Sequence, residues 1–185
     1  MAMPAEATRW TAAMARALPD DGNRYEVLDG LLVVSPAPSL VHQRVVMAFS
    51  RRIDPYTRAH RVGDTLLAPA DIELSDSRLV QPDLFVIPLV EGQRPQEWAD
   101  VRELLLVLEV LSPSTARVDR GEKRQIYLEH GVPEYWIVHP EARLVERCHP
   151  QCTPDFMDGK LTWQPSGDVP ALNIDLAELF DEVFG

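Results

Sequence analysis

The sequence predicts an α/β or α+β domain in which strands gather around one core, with helices before and after the central strands. Three observations lead there. Short runs rich in Val and Leu are bounded by turn residues. Apolar residues at helical spacing stand on either side of the most apolar run, "LLLVLEVL". The chain, with 185 residues, 45% hydrophobic and 25% charged, is long enough and apolar enough for a real core. No internal repeat or low-complexity linker divides it, so residues 1–185 are expected to form a single domain.

The elements follow in order. Residues 1–20 carry small and apolar residues at helical spacing and predict a short amphipathic helix. "RYEVLDGLLVVSP" predicts a hairpin turning at Asp29-Gly30. Ser39 can cap a helix bearing Val41, Val45, Val46 and Phe49, which Pro55 bends or ends. "TLLAPADIELSD" and "LVQPDLFVIP" read as one strand each, and "VEGQRPQEWADVRE" as a loop. The run 104–111 is the next strand. Asp119 with Glu122 resembles a capping box that starts a helix ending near His130, with Gly131 and Pro133 as its stop. "EYWIVHP" and "RLVERCH" read as a second hairpin, "KLTWQP" as a further strand and "NIDLAELFDEVF" as a closing helix.

Charge and composition exclude several classes. A net charge of −11 argues against a protein that coats nucleic acid by bulk electrostatics. Two segments are locally basic: Arg44, Arg51, Arg52, Arg58 and Arg61 stand in one, and Arg117, Arg120, Lys123 and Arg124 in the other. Solvated helix faces explain these equally well. No apolar run approaches the roughly 18 residues of a membrane span. The N-terminus lacks the uninterrupted apolar stretch of a secretory signal, so a cytoplasmic protein without membrane partners is expected. Cys148 and Cys152 flank His149, but without a second ligand pair they read as reduced thiols rather than a zinc site.

The chemistry begins with Glu109. Seven of the eight residues 104–111 are apolar, the pattern of a strand buried on both faces, and Glu109 is the eighth. A buried carboxylate without partners costs several kcal/mol. Asp83 likewise opens an apolar strand in "QPDLFVI". If the two strands are neighbours, about 4.8 Å apart, the carboxylates can share a divalent cation. Mg²⁺ suits one or two carboxylates with waters and phosphate oxygens completing its shell. Asp83 alone reads equally as a strand-start residue bonding backbone amides.

Lys123 shares a helix face with Ile126, Tyr127 and His130, and the apolar pair turns that face inward. It can therefore approach the carboxylates, orient a water and stabilise phosphate charge. Otherwise it is a solvated lysine paired with Asp119. Glu26, in "RYEVLDG", has two readings: a further metal ligand or supporting acid, or the polar face of a half-exposed strand. Asp71 and Glu73 alternate onto one strand face, the solvated one. His42 is a weaker candidate for phosphate contact than for a surface or capping role. Ser112 and Ser114 read as turn and capping residues. Glycine-rich phosphate loops, nucleophile elbows and H-E-x-x-H are absent.

An acid in "PD", an acid at the end of a buried strand and a following lysine resemble the PD-(D/E)XK nuclease superfamily. More narrowly, "YEVLDG", "QPDLFVI", "LVLEVLSPST", "DRGEK" and "YLEHGVPEYWIV" are similar to the Uma-two family of restriction-endonuclease-like proteins, over residues 24–150. Residues 151–185 add a strand and a helix to that core.

The resemblance implies a restriction-endonuclease-like core, a mixed central β-sheet flanked by helices with added β-hairpins. It also implies that Asp83, Glu109 and the backbone carbonyl of Val110 ligate Mg²⁺ or Mn²⁺. The superfamily places its lysine two residues after the second acid, where this chain has Leu111. In this family the lysine comes from the following helix, which maps onto Lys123. The expected function is hydrolysis of DNA phosphodiesters by a metal-dependent endonuclease, with a homodimer suited to cutting both strands. The alternatives are a nuclease-like module that binds DNA or protein without cleaving, and a hydrolase of small phosphates or nucleotides.

Overall fold

Glycine and proline turn the chain where expected, and they divide it into more strands than the apolar runs suggest. A computed structural model describes residues 8–113 and 115–185. In chain order it contains α1 (Ala12–Arg16), β1 (Arg24–Leu28), β2 (Leu31–Ser35), α2 (Leu40–Ala59) and β3 (Gly63–Leu67). There follow β4 (Ile72–Ser75), β5 (Arg78–Val80), β6 (Leu84–Pro88) and β7 (Leu106–Val110). Next, α3 (Ala116–Val118) runs through a π turn, Asp119–Lys123, into α4 (Arg124–Glu129). The chain finishes with β8 (Tyr135–His139), β9 (Leu144–Cys148), β10 (Asp155–Met157), β11 (Lys160–Trp163), β12 (Leu172–Asp175) and α5 (Leu176–Phe184). Ser114 and the first seven residues of the N-terminal helical segment lie outside the described residues.

The chain groups into two compact units, one made of residues up to Ala37 with Asp71–Gln81, the other of Pro38–Ala70 with Pro82–Gly185. In the first unit four antiparallel strands are ordered β2-β1-β5-β4. Asp29 at φ 51° and Gly30 at φ 84° form the expected two-residue turn, whose left-handed positions Asp and Gly tolerate best. Ala12, Ala15, Val27 and Leu79 make a small core. Asp71 and Glu73 both face Arg16 on the half-exposed side of their strand.

In the second unit six strands are ordered β10-β9-β8-β7-β6-β3. β7 and β8 are parallel and the other pairs antiparallel, so the sheet is mixed. The parallel pair requires a long crossover, which the α3–α4 segment supplies. Leu84, Val86, Leu106, Leu108, Trp136 and Val138 pack against Val45, Phe49, Ile53 and Tyr56 of α2. α5 and the β11–β12 hairpin close the same core. Alternation turns Phe85, Val107, Glu109, Tyr135 and Ile137 to the opposite face. There Tyr127 of α4 stacks at 5.0 Å on Tyr135. Helices on both faces explain why 104–111 lacks a polar side.

Four expectations need correction. α2 continues through Pro55 to Ala59, because burial of Phe49, Ile53, Tyr56 and Thr57 along one face outweighs the one lost backbone hydrogen bond. "TLLAPADIELSD" is two strands in different sheets, broken at Pro69, and "LVQPDLFVIP" divides likewise at Pro82, since proline cannot donate to a ladder. The helix read from Asp119 starts earlier, at Ala116. The closing segment is a strand before it is a helix, with Asp175 as the helix cap.

Candidate active site

The antiparallel register of β6 and β7 pairs Leu84 with Leu108, so one step further Asp83 and Glu109 reach the same end of the sheet. Asp83 Oδ2 accepts the Val110 backbone N–H at 2.8 Å, tying the carboxylate to the last residue of β7. This is the backbone-amide role that the sequence left open for it. Its Oδ1 faces His42 Nε2 at 3.0 Å. His42 is placed by the first turn of α2, where the Ser39 hydroxyl accepts the His42 N–H.

Glu109 points to the other helix. Lys123 Nζ donates to Glu109 Oε1 at 2.9 Å, and Tyr127 OH donates to the same oxygen at 3.0 Å. Lys123 Nζ also lies 3.7 Å from Asp119 Oδ1. Asp83, Glu109, Asp119 and Lys123 are each no more than 3% exposed. The four-residue steps from Asp119 to Lys123 to Tyr127 put all three side chains on one helix face. The π turn between the first two is anchored by Tyr135 OH, which donates to the Asp119 carbonyl. Such turns recur at functional positions. The charge opposite Glu109, needed in so apolar a strand, is thus supplied by Lys123.

Glu26 is almost fully buried, which removes the reading of a solvated strand face. Within its own unit its Oε1 accepts the Gln81 backbone N–H at 2.8 Å. Much of the basic charge on and just past α2 is paired within the chain, at the surface. Arg51 and Arg52 bond Glu182, Arg58 bonds Asp54, and Arg61 bonds the Gly92 carbonyl. Arg117 pairs with Glu122. Cys148 and Cys152 are free thiols, and burial pushes the Cys148 thiol up to about 11.

Two partners were missed in the sequence. Tyr127 had a usable signal, four residues after Lys123 on the face already read as inward. In the sequence His42 reads as a weak phosphate-contact candidate or a surface or capping residue, and its contact with Asp83 depends on where α2 meets the sheet. A third group lies one residue past the β7–β8 pairing of Val110 with Val138: His139, beside Arg120 and the buried Glu146. Burial, then the Arg120 charge, lowers the His139 pKa, against a weaker upward pull from Glu146. Among the described residues, no three His, Cys, Asp or Glu side chains form a group able to hold a metal ion. No helix is long and apolar enough to cross a membrane.

A mixed sheet flanked by helices, in this strand order, is a restriction-endonuclease-like fold. The family model "Uma2: Putative restriction endonuclease" matches residues 12–177, and the chain belongs to this family. Among solved structures it is similar to "a putative nuclease belonging to DUF820" from Anabaena variabilis ATCC 29413, at 18% identity and a TM-score of 0.77. That likeness covers 94% of this chain and 99% of the other. No curated protein matches.

Proposed function

We propose that this chain is a divalent-metal-dependent endonuclease that hydrolyses DNA phosphodiester bonds where Asp83, Glu109 and Lys123 meet. The supporting observation is the buried contact of Lys123 and Tyr127 with Glu109, at the strand end that also carries Asp83. Membership of the family described as "Putative restriction endonuclease" supports a nucleic acid as the substrate.

The donor set suits Mg²⁺ or Mn²⁺. Two carboxylates on adjacent strands offer hard oxygens, and the Val110 carbonyl is the third oxygen in this reading. The buried His42 Nε2 has no aligned hydrogen-bond partner among the described residues, although Asp83 is beside it. Without a three-side-chain cage, waters and phosphate oxygens would complete the shell, as Mg²⁺ commonly allows. A bound ion would neutralise phosphate charge and acidify water.

The remaining steps belong to the chain. Asp83 and Glu109 present the oxygens, and Tyr127 OH holds the Glu109 carboxylate in orientation. Lys123 Nζ donates to the attacking water or to a phosphate oxygen, fixing the line of attack. Two copies acting together would cut both strands of a duplex.

One observation favours a second reading, a module that binds nucleic acid or protein without cleavage. Lys123 already compensates Glu109, so that carboxylate can persist without an ion.

The test titrates Mn²⁺ and Mg²⁺ into wild type and Glu109→Ala by calorimetry, then assays both on supercoiled DNA. Binding and nicking in wild type, both lost in the variant, are expected. A wild type that neither binds cation nor nicks DNA overturns the endonuclease reading and leaves the binding module.

A further inference from the structure

We propose that Arg120 and Arg124, on the helical crossover between β7 and β8, form a ridge that holds the phosphate backbone of DNA beside the candidate site. The proposal rests on a nucleic acid being the substrate, and it goes beyond that reading by assigning the surface that binds it.

Four basic residues stand close together in this segment, and the fold gives them different tasks. Lys123 is turned inward and engaged by Glu109. Arg117 is 91% exposed, with Glu122 3.7 Å away, a surface pair of little worth. Arg124 is half-buried and forms neither a hydrogen bond nor an ion pair among the described residues, although its charge acts on Cys148 of β9.

Arg120 is held along one edge. Its Nε donates to Glu146 Oε2 at 3.1 Å, and its Nη2 lies 2.9 Å from His139 Nδ1. Burial lowers the His139 pKa, so the ring stays neutral near pH 7 and can accept. Glu146 is 4% exposed, whereas the Arg120 side chain is 44% exposed. The guanidinium has five N–H donors in a planar fork that matches phosphate. Among the described residues Nη1 has no partner, so that end of a pre-oriented, half-exposed cation is available to a ligand.

The register places this ridge next to the candidate site. Glu109 pairs with Ile137 across β7 and β8, and Ile137 pairs with Glu146 across β8 and β9. Glu146 therefore stands two strand spacings from Glu109 on the same face, about 10 Å away. Arg120 serves a phosphate beside the reacting one rather than the reacting one itself. Arg124 follows four residues later, about 6 Å along the helix, so both can engage one backbone. Such contacts fix the orientation of a duplex without reading its sequence. A counter-charge for buried Glu146 would explain Arg120 alone, but it leaves Arg124 without a role.

The test follows binding of a fluorescein-labelled DNA duplex by anisotropy over a range of salt, in EDTA and again in Ca²⁺. It compares wild type with Arg124→Gln, with the Arg120→Gln/Glu146→Gln double variant, and with Arg58→Gln on the far end of α2. The double variant leaves no buried carboxylate unpaired and keeps the net charge, so its loss reads the contact and not bulk charge. Both ridge variants are expected to bind several-fold more weakly at low salt. Each should lower the slope of log affinity against log salt by about one, with little change in Arg58→Gln. Wild-type affinity and slope in both ridge variants, or an equal loss in Arg58→Gln and Arg124→Gln, overturn the ridge. Nicking of supercoiled DNA by wild type would then leave the endonuclease reading standing. A wild type that binds no duplex in either condition overturns the ridge and the DNA reading together. Arg124→Gln removes no partner of a buried acid, and it decides the matter if the double variant fails to fold.

Discussion

Lys123 Nζ stands 2.9 Å from Glu109 Oε1, with both side chains almost entirely removed from water. A strand and the helical crossover that follows it are joined by opposite charges in an apolar setting. Removing one member of such a pair costs about 3–5 kcal/mol, because the other charge stays buried. Lys123→Met is therefore expected to lower stability by that amount in urea unfolding. The Glu109→Gln/Lys123→Met double variant should recover part of the loss, since Glu109 no longer leaves a buried charge, while Asp119 still loses the ammonium 3.7 Å away. Equal losses in the single and double variants would contradict this account.

Tyr127 contributes through one atom. Tyr127→Phe keeps the ring on Tyr135 and deletes the hydroxyl that donates to Glu109. A hydrogen bond to a charged group is worth about 1.5–3 kcal/mol, so a loss in that range is expected in urea unfolding. A neutral result would mean that water replaces the hydroxyl.

Gly63 holds β3 against β6, the strand that begins beside Asp83. A Cβ at this position would lie 2.2 Å from the Ile87 carbonyl oxygen, so the strands would have to separate. Gly63→Ala is expected to cost about 1–3 kcal/mol by thermal unfolding. Gly159→Ala, where a Cβ meets nothing within 4 Å, is the control and should change little.

His139 gives a pH dependence whose sign is fixed by its surroundings. Burial, reinforced by Arg120, lowers its pKa below the ordinary 6.5, so the folded state binds a proton less readily than the unfolded chain. Its contribution is fully present above 6.5 and is lost as pH falls through the lowered folded value. Stability of wild type minus that of His139→Gln, followed by urea unfolding from pH 8 downward, should decline below pH 6.5. A difference that is flat or rises there would overturn the assignment.

Much of the fold was readable because local rules and tertiary packing agree. The Asp29-Gly30 turn satisfies its own backbone, and the apolar run around Glu109 has the period of a strand covered on both faces. Boundaries were misread where packing overrides a local signal, as when the buried face of α2 carries the helix past Pro55. Conversely, Pro69 and Pro82 break runs that composition alone would join.

The same division applies to the candidate site. Glu109, and Asp83 at the start of an apolar strand, stand out in the primary sequence because a charged residue amid apolar neighbours is costly, and the cost is visible without coordinates. Helical periodicity also places Lys123, Asp119 and Tyr127 on one face. Which charge compensates Glu109 depends on how closely the crossover helix approaches β7, and the packed fold assigns that role to Lys123. The His42–Asp83 contact is likewise a product of tertiary structure: 41 positions separate the two residues, and only the docking of α2 on the sheet brings an imidazole to that carboxylate. Burial patterns are written along the chain, whereas contacts between distant residues arise when its elements pack.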